Sequence, residues 1–312
     1  MLKINVYAED RGWLFEDLKD HFQRLNHIHN FEVTISEKPL MTADTWVALR
    51  TMEAVKSPDL RRTVVCIHDV LFDDEMYRQN GSRGAVRDAG ALVLSHPDQR
   101  AILTHEGISL EGIPILERPL GALKTFVPRR QLPACFSVGW IGREHPRKRL
   151  GWFVQAMLEL DLGPEQLKVE LIGSGLGDAA AGLRANGVDC RLYDRDSHAI
   201  STYPELYQNL DCVVITSTTE AGPLPLFEAL ASGLPVVSTP VGWAPFFSRQ
   251  APRYVRLAGD SREIAAQLKQ LRVQRQETFA SRFEIADLVK QWSLDGWLLA
   301  VLELAASLAP VH

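Results

Sequence analysis

Short apolar runs in this chain alternate with stretches in which apolar residues recur every three or four positions. Runs at residues 4–7, 31–35, 45–48, 63–67 and 91–94 are dominated by apolar and β-branched residues, as suits parallel strands buried on both faces. Between the first two, Leu14, Leu18 and Phe22 fall on one face of a helix predicted over residues 13–25. A second series starts with a strand at residues 136–141 and a helix over residues 151–160, then strands at 169–172, 190–193, 212–216 and 236–238. Such alternation predicts an α/β protein with mostly parallel sheets. Between the two series lies VPRRQLP, residues 127–133, polar and proline-flanked, which reads as a linker. The expected organisation is two Rossmann-like domains, residues 1–130 and 131–312, with the last helix free to pack back on the first. Sheets of this kind bind ligands beyond the carboxyl ends of their strands, so the strand-end loops are where chemistry is to be sought.

Composition narrows the classes of function. The 312 residues are 46% hydrophobic and 23% charged, with a net charge of −5, which argues against generic nucleic-acid binding. Cys66, Cys135, Cys190 and Cys212 form no C-x-x-C pair and read as reduced core thiols of a cytoplasmic protein. The opening MLKINVYAED reads as a strand, without the apolar region of a signal peptide. No stretch approaches the ~20 apolar residues of a membrane span. The nearest, WLLAVLELAASLAP at residues 297–310, is interrupted by Glu303. A packed terminal helix is the preferred reading, an interfacial membrane helix the alternative.

Three strand-end loops of the second half carry candidate chemistry. The first is GWIGREHPRKR, residues 139–149, where Gly142 permits a tight turn and Arg143, Arg147, Lys148 and Arg149 follow before a helix. Such a cluster beside a helix N-terminus can neutralise a diphosphate, although a solvated basic turn has the same letters. LIGSGLG, residues 171–177, places Gly173 and Gly175 after a strand. Its spacing is not that of the dinucleotide fingerprint. The third is TEAGPLPLFEALASGLPVV, residues 219–237, with Glu220 in the loop and Glu228 inside the following helix. Chain geometry puts these glutamates about 8–15 Å apart, the reach from a ribose to a sugar across a diphosphate. Ala221, Gly222, Pro223 and Leu224 follow Glu220 and offer main-chain contacts.

EAGPLPLFEALASGLPVV resembles the E-x7-E region of retaining GT-B glycosyltransferases, above all the group related to glycosyltransferase family 4. FSVGWIGREHPRKR, LIGSGLG and PELYQNLDCVVITS are similar to that family's motifs and stand in the same order, over residues 136–245. The resemblance implies a GT-B fold of two Rossmann-like domains with an interdomain cleft. It implies a hexosyltransferase-like enzyme of polysaccharide biosynthesis that moves a sugar, with retention, from a nucleotide diphosphate sugar to a glycan or lipid-linked acceptor. It implies no cofactor and no bound metal, and leaves room for peripheral membrane contact at the cytoplasmic face. Arg143 and Lys148 then hold the diphosphate, Glu228 the ribose hydroxyls, and Glu220 lies by the transferred sugar. Gly142, Gly173, Gly175 and the main chain from Ala221 to Leu224 contact the donor. Asp194-Arg195-Asp196 has D-x-D letters and reads as a turn.

The first half matches that family in layout rather than in motif. CIHDV ends an apolar strand with His68 and Asp69; the resemblance puts His68 near the donor sugar, and Asp69 serves equally well as a turn residue. His96 is a weaker candidate. Where many members carry a glycine pair after the first strand, this chain has EDRGWLF, with Gly12 and Trp13 on the acceptor side. A catalytically silent GT-B protein that binds nucleotide sugar is therefore the alternative function. A nicotinamide-dependent oxidoreductase would need a G-x-G-x-x-G after the first strand, which this chain lacks.

Overall fold

The computed structural model describes residues 1–9, 14–25, 31–68, 81–198 and 200–310. Gly12, Trp13 and Asp69 lie outside the described residues. The chain divides into two compact units, Met1–Leu120 with Leu294–His312, and Gly121–Ser293. This division differs from the boundary at 130/131 suggested by VPRRQLP. Arg129 within that stretch is 1% exposed and donates from Nη1 to Asp211 Oδ1 and Leu210 O, both at 2.8 Å. A buried guanidinium needs such partners, and they hold the polar segment inside the second unit.

In the first unit, strands β1 (Leu2–Tyr7), β2 (Phe31–Ser36), β3 (Thr45–Ala48), β4 (Thr63–Ile67), β5 (Ala91–Leu94) and β6 (Ile115–Glu117) form one sheet. Their order is β2-β1-β3-β4-β5-β6, and every pairing is parallel. Helix Leu294–Ala306 packs across β1 and β3 to β6. Its buried Trp297 meets Phe22 at 6.1 Å between ring centroids. Among the described residues no helix is long and apolar enough to cross a membrane.

The second unit holds β7 (Phe136–Ile141), β8 (Leu167–Gly173), β9 (Asp189–Asp194), β10 (Cys212–Ile215), β11 (Val236–Ser238) and β12 (Val255–Leu257), in the order β12-β11-β10-β7-β8-β9. This sheet too is parallel throughout. Buried Val138, Trp140, Val169, Leu171, Cys212 and Val214 face helices Leu150–Glu159 and Ser261–Val273, while Ile172, Val213 and Val236 join the opposite core with Phe227 and Leu230. Burial on both faces explains the unbroken apolar runs. All four cysteines are free thiols, and burial pushes that of Cys190 up to about 11.

Candidate active site

The order of the second sheet reverses at β7. The chain leaves it toward β8 and β9, then crosses back to β10 on the other side. Loops that depart in opposite directions open a crevice at the carboxyl ends of β7 and β10. Register keeps those ends level, with Cys212 beside Val138 and Ile141 beside Ile172.

Bonds between main chain and side chains then fasten the two loops together. Thr218 N donates to Arg147 O at 2.8 Å. Thr216 Oγ1 donates to Lys148 O at 2.5 Å and accepts from Trp140 Nε1 at 3.0 Å. Across this seam Lys148 Nζ donates to Glu220 Oε1 at 2.5 Å, an ion pair whose side chains are 21% and 12% exposed. Two residues singled out separately in the sequence therefore touch, and solvent still reaches both.

The remaining basic residues divide by role. Arg143 is half-buried in the β7 loop. Arg149 adopts a left-handed backbone conformation at φ 46°, and its guanidinium lies 4.2 Å from the Trp152 ring centroid. Arg147 contributes main chain to the seam. His145 Nδ1 accepts from Arg147 N at 3.2 Å and starts the turn Pro146–Lys148. Desolvation, then the cations Arg143, Arg147 and Lys148, hold its imidazole below the ordinary value. An anion arriving here meets that same positive potential.

The glycine loop closes one side of the crevice. Gly142 N donates to Ile172 O at 2.9 Å and Glu144 N to Ser174 O at 2.9 Å. A Cβ on Gly173 would stand 1.7 Å from Gly142 O, so only glycine permits this approach. Gly175 follows at φ 76° against Glu144. On the other side the β11 loop supports the glutamate loop, with Thr239 Oγ1 donating to Ser217 O at 2.6 Å. Neither Thr239 nor the Trp140–Thr216 pair stood out in the sequence, because each works through a partner far along the chain.

Ala221 is buried, and Gly222 and Pro223 lead into the helix Leu224–Ala231. Pro223 occupies the cap position and Leu226 N donates to its carbonyl at 3.0 Å. Glu228, one turn into the helix, is not a surface charge: it is 8% exposed. Its Oε2 accepts from the hydroxyl of fully buried Tyr207 at 2.6 Å. Burial pushes the Glu228 carboxyl up to about 7, and the Tyr207 bond works against that rise. Burial foremost, with the Glu228 charge next, pushes the Tyr207 phenol well above its usual value. No sequence spacing pointed to Tyr207.

In the first unit His68 sits beyond β4. Its Nδ1 lies 3.0 Å from Ser95 Oγ, and its ring stands 5.8 Å from that of Trp297. His96 Nδ1 accepts from Asp98 N at 2.9 Å, closing a local turn. Asp194 also closes a turn, its Oδ1 accepting from Asp196 N at 2.9 Å. Among the described residues no group of three or more His, Cys, Asp or Glu side chains is placed to hold a metal ion.

Two parallel Rossmann-like sheets in one chain, the second with glycine, basic and glutamate loops at its switch point, define the GT-B class. Residues 135–273 match the family described as glycosyl transferases group 1, and this stretch is a domain of that kind. Sucrose-phosphate synthase from Thermosynechococcus elongatus superposes with a TM-score of 0.78 at 14% identity, over 99% of this chain and 99% of that one. Anabaena HepE, solved with UDP and glucose, gives 0.73 at 15% identity over 98% of this chain and 100% of its own. WaaG, a glycosyltransferase involved in lipopolysaccharide biosynthesis, gives 0.71 at 16% over 97% and 99%. At these identities the likeness is one of fold. No curated protein sequence matches the chain.

Proposed function

We propose that the protein transfers a sugar from a nucleotide diphosphate sugar, with retention at the anomeric carbon and without a bound metal, to a glycan or lipid-linked acceptor. The observation that carries this reading is the Lys148–Glu220 pair at the switch point of the second unit. It sets a cation and an anion side by side in a crevice rimmed by close-packed glycine turns. A departing diphosphate develops negative charge as the donor's sugar–oxygen bond breaks. Lys148, Arg143 and the N-terminal amides of helix Leu150–Glu159 stabilise that charge. Glu220, freed from Lys148 by the incoming phosphate, holds a sugar hydroxyl and favours the positive charge that accumulates on the ring. Glu228, on the next helix, takes the ribose hydroxyls.

HepE was solved with UDP and glucose, which makes UDP-glucose the first arm of a thermal-shift panel with GDP-, ADP- and CMP-linked sugars. Ligands that bind only the folded state raise its melting temperature, so the true donor class gives a dose-dependent rise. Transfer to acceptor then proceeds in the presence of EDTA, and NMR of the product shows the donor's anomeric configuration. A panel without any shift overturns the reading; an inverted product or loss of activity in EDTA overturns its mechanistic part.

A further inference from the structure

We propose that Tyr207 is a positioning residue for Glu228: its hydroxyl fixes one carboxylate oxygen so that the other is presented to the ribose hydroxyls of the donor nucleotide. The proposal takes the identity of the ligand from the function proposed above; the contact itself does not depend on it.

Tyr207 ends the short helix Tyr203–Tyr207, which packs against Leu224–Ala231. Its ring is fully buried and meets the edge of Phe126 at 5.1 Å between centroids, 85° apart. With two torsions to fix, a tyrosine so enclosed has its hydroxyl in one place. A glutamate side chain is the opposite case, since its last torsion is broad and lets the carboxylate turn. One short O–H···O bond of 2.6 Å, within the range for an ionised acceptor, removes that freedom. A carboxylate has about four acceptor sites on its two oxygens. Tyr207 uses Oε2, and the remaining capacity belongs to the ligand.

The hydroxyl has a second effect. Burial disfavours the ionised carboxylate, and the Tyr207 bond favours it. Other titratable or charged groups stand on the elements packed against the Leu224–Ala231 helix. Tyr203 and Glu205 share the helix of Tyr207, and Arg282, Glu284 and Asp287 lie on Arg282–Asp287. Glu284 accepts from Tyr254 at 2.8 Å, and Tyr203 raises the Tyr207 phenol further. None replaces the direct bond to Oε2. Phenylalanine at 207 would fill the same space, so packing alone does not call for the hydroxyl.

The test is a double-mutant cycle on UDP affinity by calorimetry, with GDP and ADP as parallel probes, at pH 8. Tyr207→Phe weakens nucleotide binding by about tenfold, and in a Glu228→Gln background the same change costs less than about twofold. Equal losses in both backgrounds mean that Tyr207 acts by general packing and overturn the proposal, as does no loss in either. A ligand-free arm follows melting temperature from pH 4 to 9. There Tyr207→Phe moves the Glu228-dependent inflection upward from near pH 7, and Glu228→Gln abolishes it. An unmoved inflection sinks the coupling. Should no nucleotide bind the wild-type chain while the inflection still moves, the donor-binding reading fails and the Tyr207–Glu228 contact stands without its proposed ligand.

Discussion

Each of the two units brings a carboxylate to the switch point of its sheet, and each carboxylate joins the same two loops. In the first unit the order reverses at β1, so the loops in question follow β1 and β3. Glu53, just after β3, accepts from Glu9 N at 2.7 Å, and Arg50 donates to the same oxygen from Nε at 3.0 Å and Nη2 at 2.5 Å. In the second unit the corresponding seam is Lys148 with Glu220. The exposure of the carboxylates separates them. Glu53 is 2% exposed and paired with an arginine three residues away, itself 29% exposed, whereas Glu220 is 12% exposed and its pair with Lys148 joins distant segments. A locked pair stabilises its fold, and an accessible one can be exchanged for a ligand. Equivalent topology therefore serves structure in one unit and, on the proposed function, chemistry in the other.

Glu220→Ala breaks the comparison most sharply. Transfer falls by about 10²-fold or more, on the scale of removing one transition-state contact, while chemical denaturation changes by no more than about 1 kcal/mol, as for other partly exposed ion pairs. Near-normal transfer from a folded variant would remove Glu220 from the catalytic crevice. Glu53→Ala should do the reverse. Taking the acceptor from Arg50 and from Glu9 N costs about 3 kcal/mol of stability, read as a lower denaturation midpoint, and leaves the UDP affinity of the intact fraction unchanged. If Glu53→Ala instead abolishes nucleotide binding without destabilising the chain, the structural assignment of the first pair is wrong.

Glu228→Gln tests the cost of a buried site. Its folded carboxyl value, about 7, is raised above the ordinary 4.5. The protonated form therefore favours the fold. That contribution is whole below pH 4.5 and is lost as the pH climbs through 7. At pH 8 the glutamine variant should be more stable, on the order of 2–3 kcal/mol, yet bind UDP more weakly. A flat stability profile shared by wild type and variant would contradict the burial argument. The smallest effects belong to the basic loop. Lys148→Ala and Arg143→Ala each lower turnover by about tenfold, more than they weaken donor binding, because diphosphate charge grows as the bond breaks. Arg147→Ala and Arg149→Ala change little, since alanine keeps the Arg147 carbonyl that accepts from Thr218 N and Arg149 stacks on Trp152. A kinetic comparison of the four that reverses this order would reassign the phosphate contacts.

The sequence by itself determined the alternation of strands and helices, the two-sheet class and the three loops of the second unit. Continuous apolar runs such as 136–141 and 212–216 have few alternatives to a buried parallel strand, and glycine after a strand marks a close approach wherever it occurs. What lay beyond the local pattern was decided by partners brought together in space. The edge strands β6 and β12 have three residues each, with Glu117 and Arg256 among them, so pairing with a neighbour makes them strands where their own pattern would not. The polar stretch 127–133 reads as a linker until Asp211 buries Arg129. Glu228 stands out in the sequence as half of a glutamate pair, but its burial and its bond from Tyr207, which packs on Phe126, belong to the fold alone. A hydrophobic pattern reports which face of an element is turned inward. It does not report which polar group meets which, because a buried charge is settled by a hydrogen bond from a residue that only the folded chain brings within 3 Å.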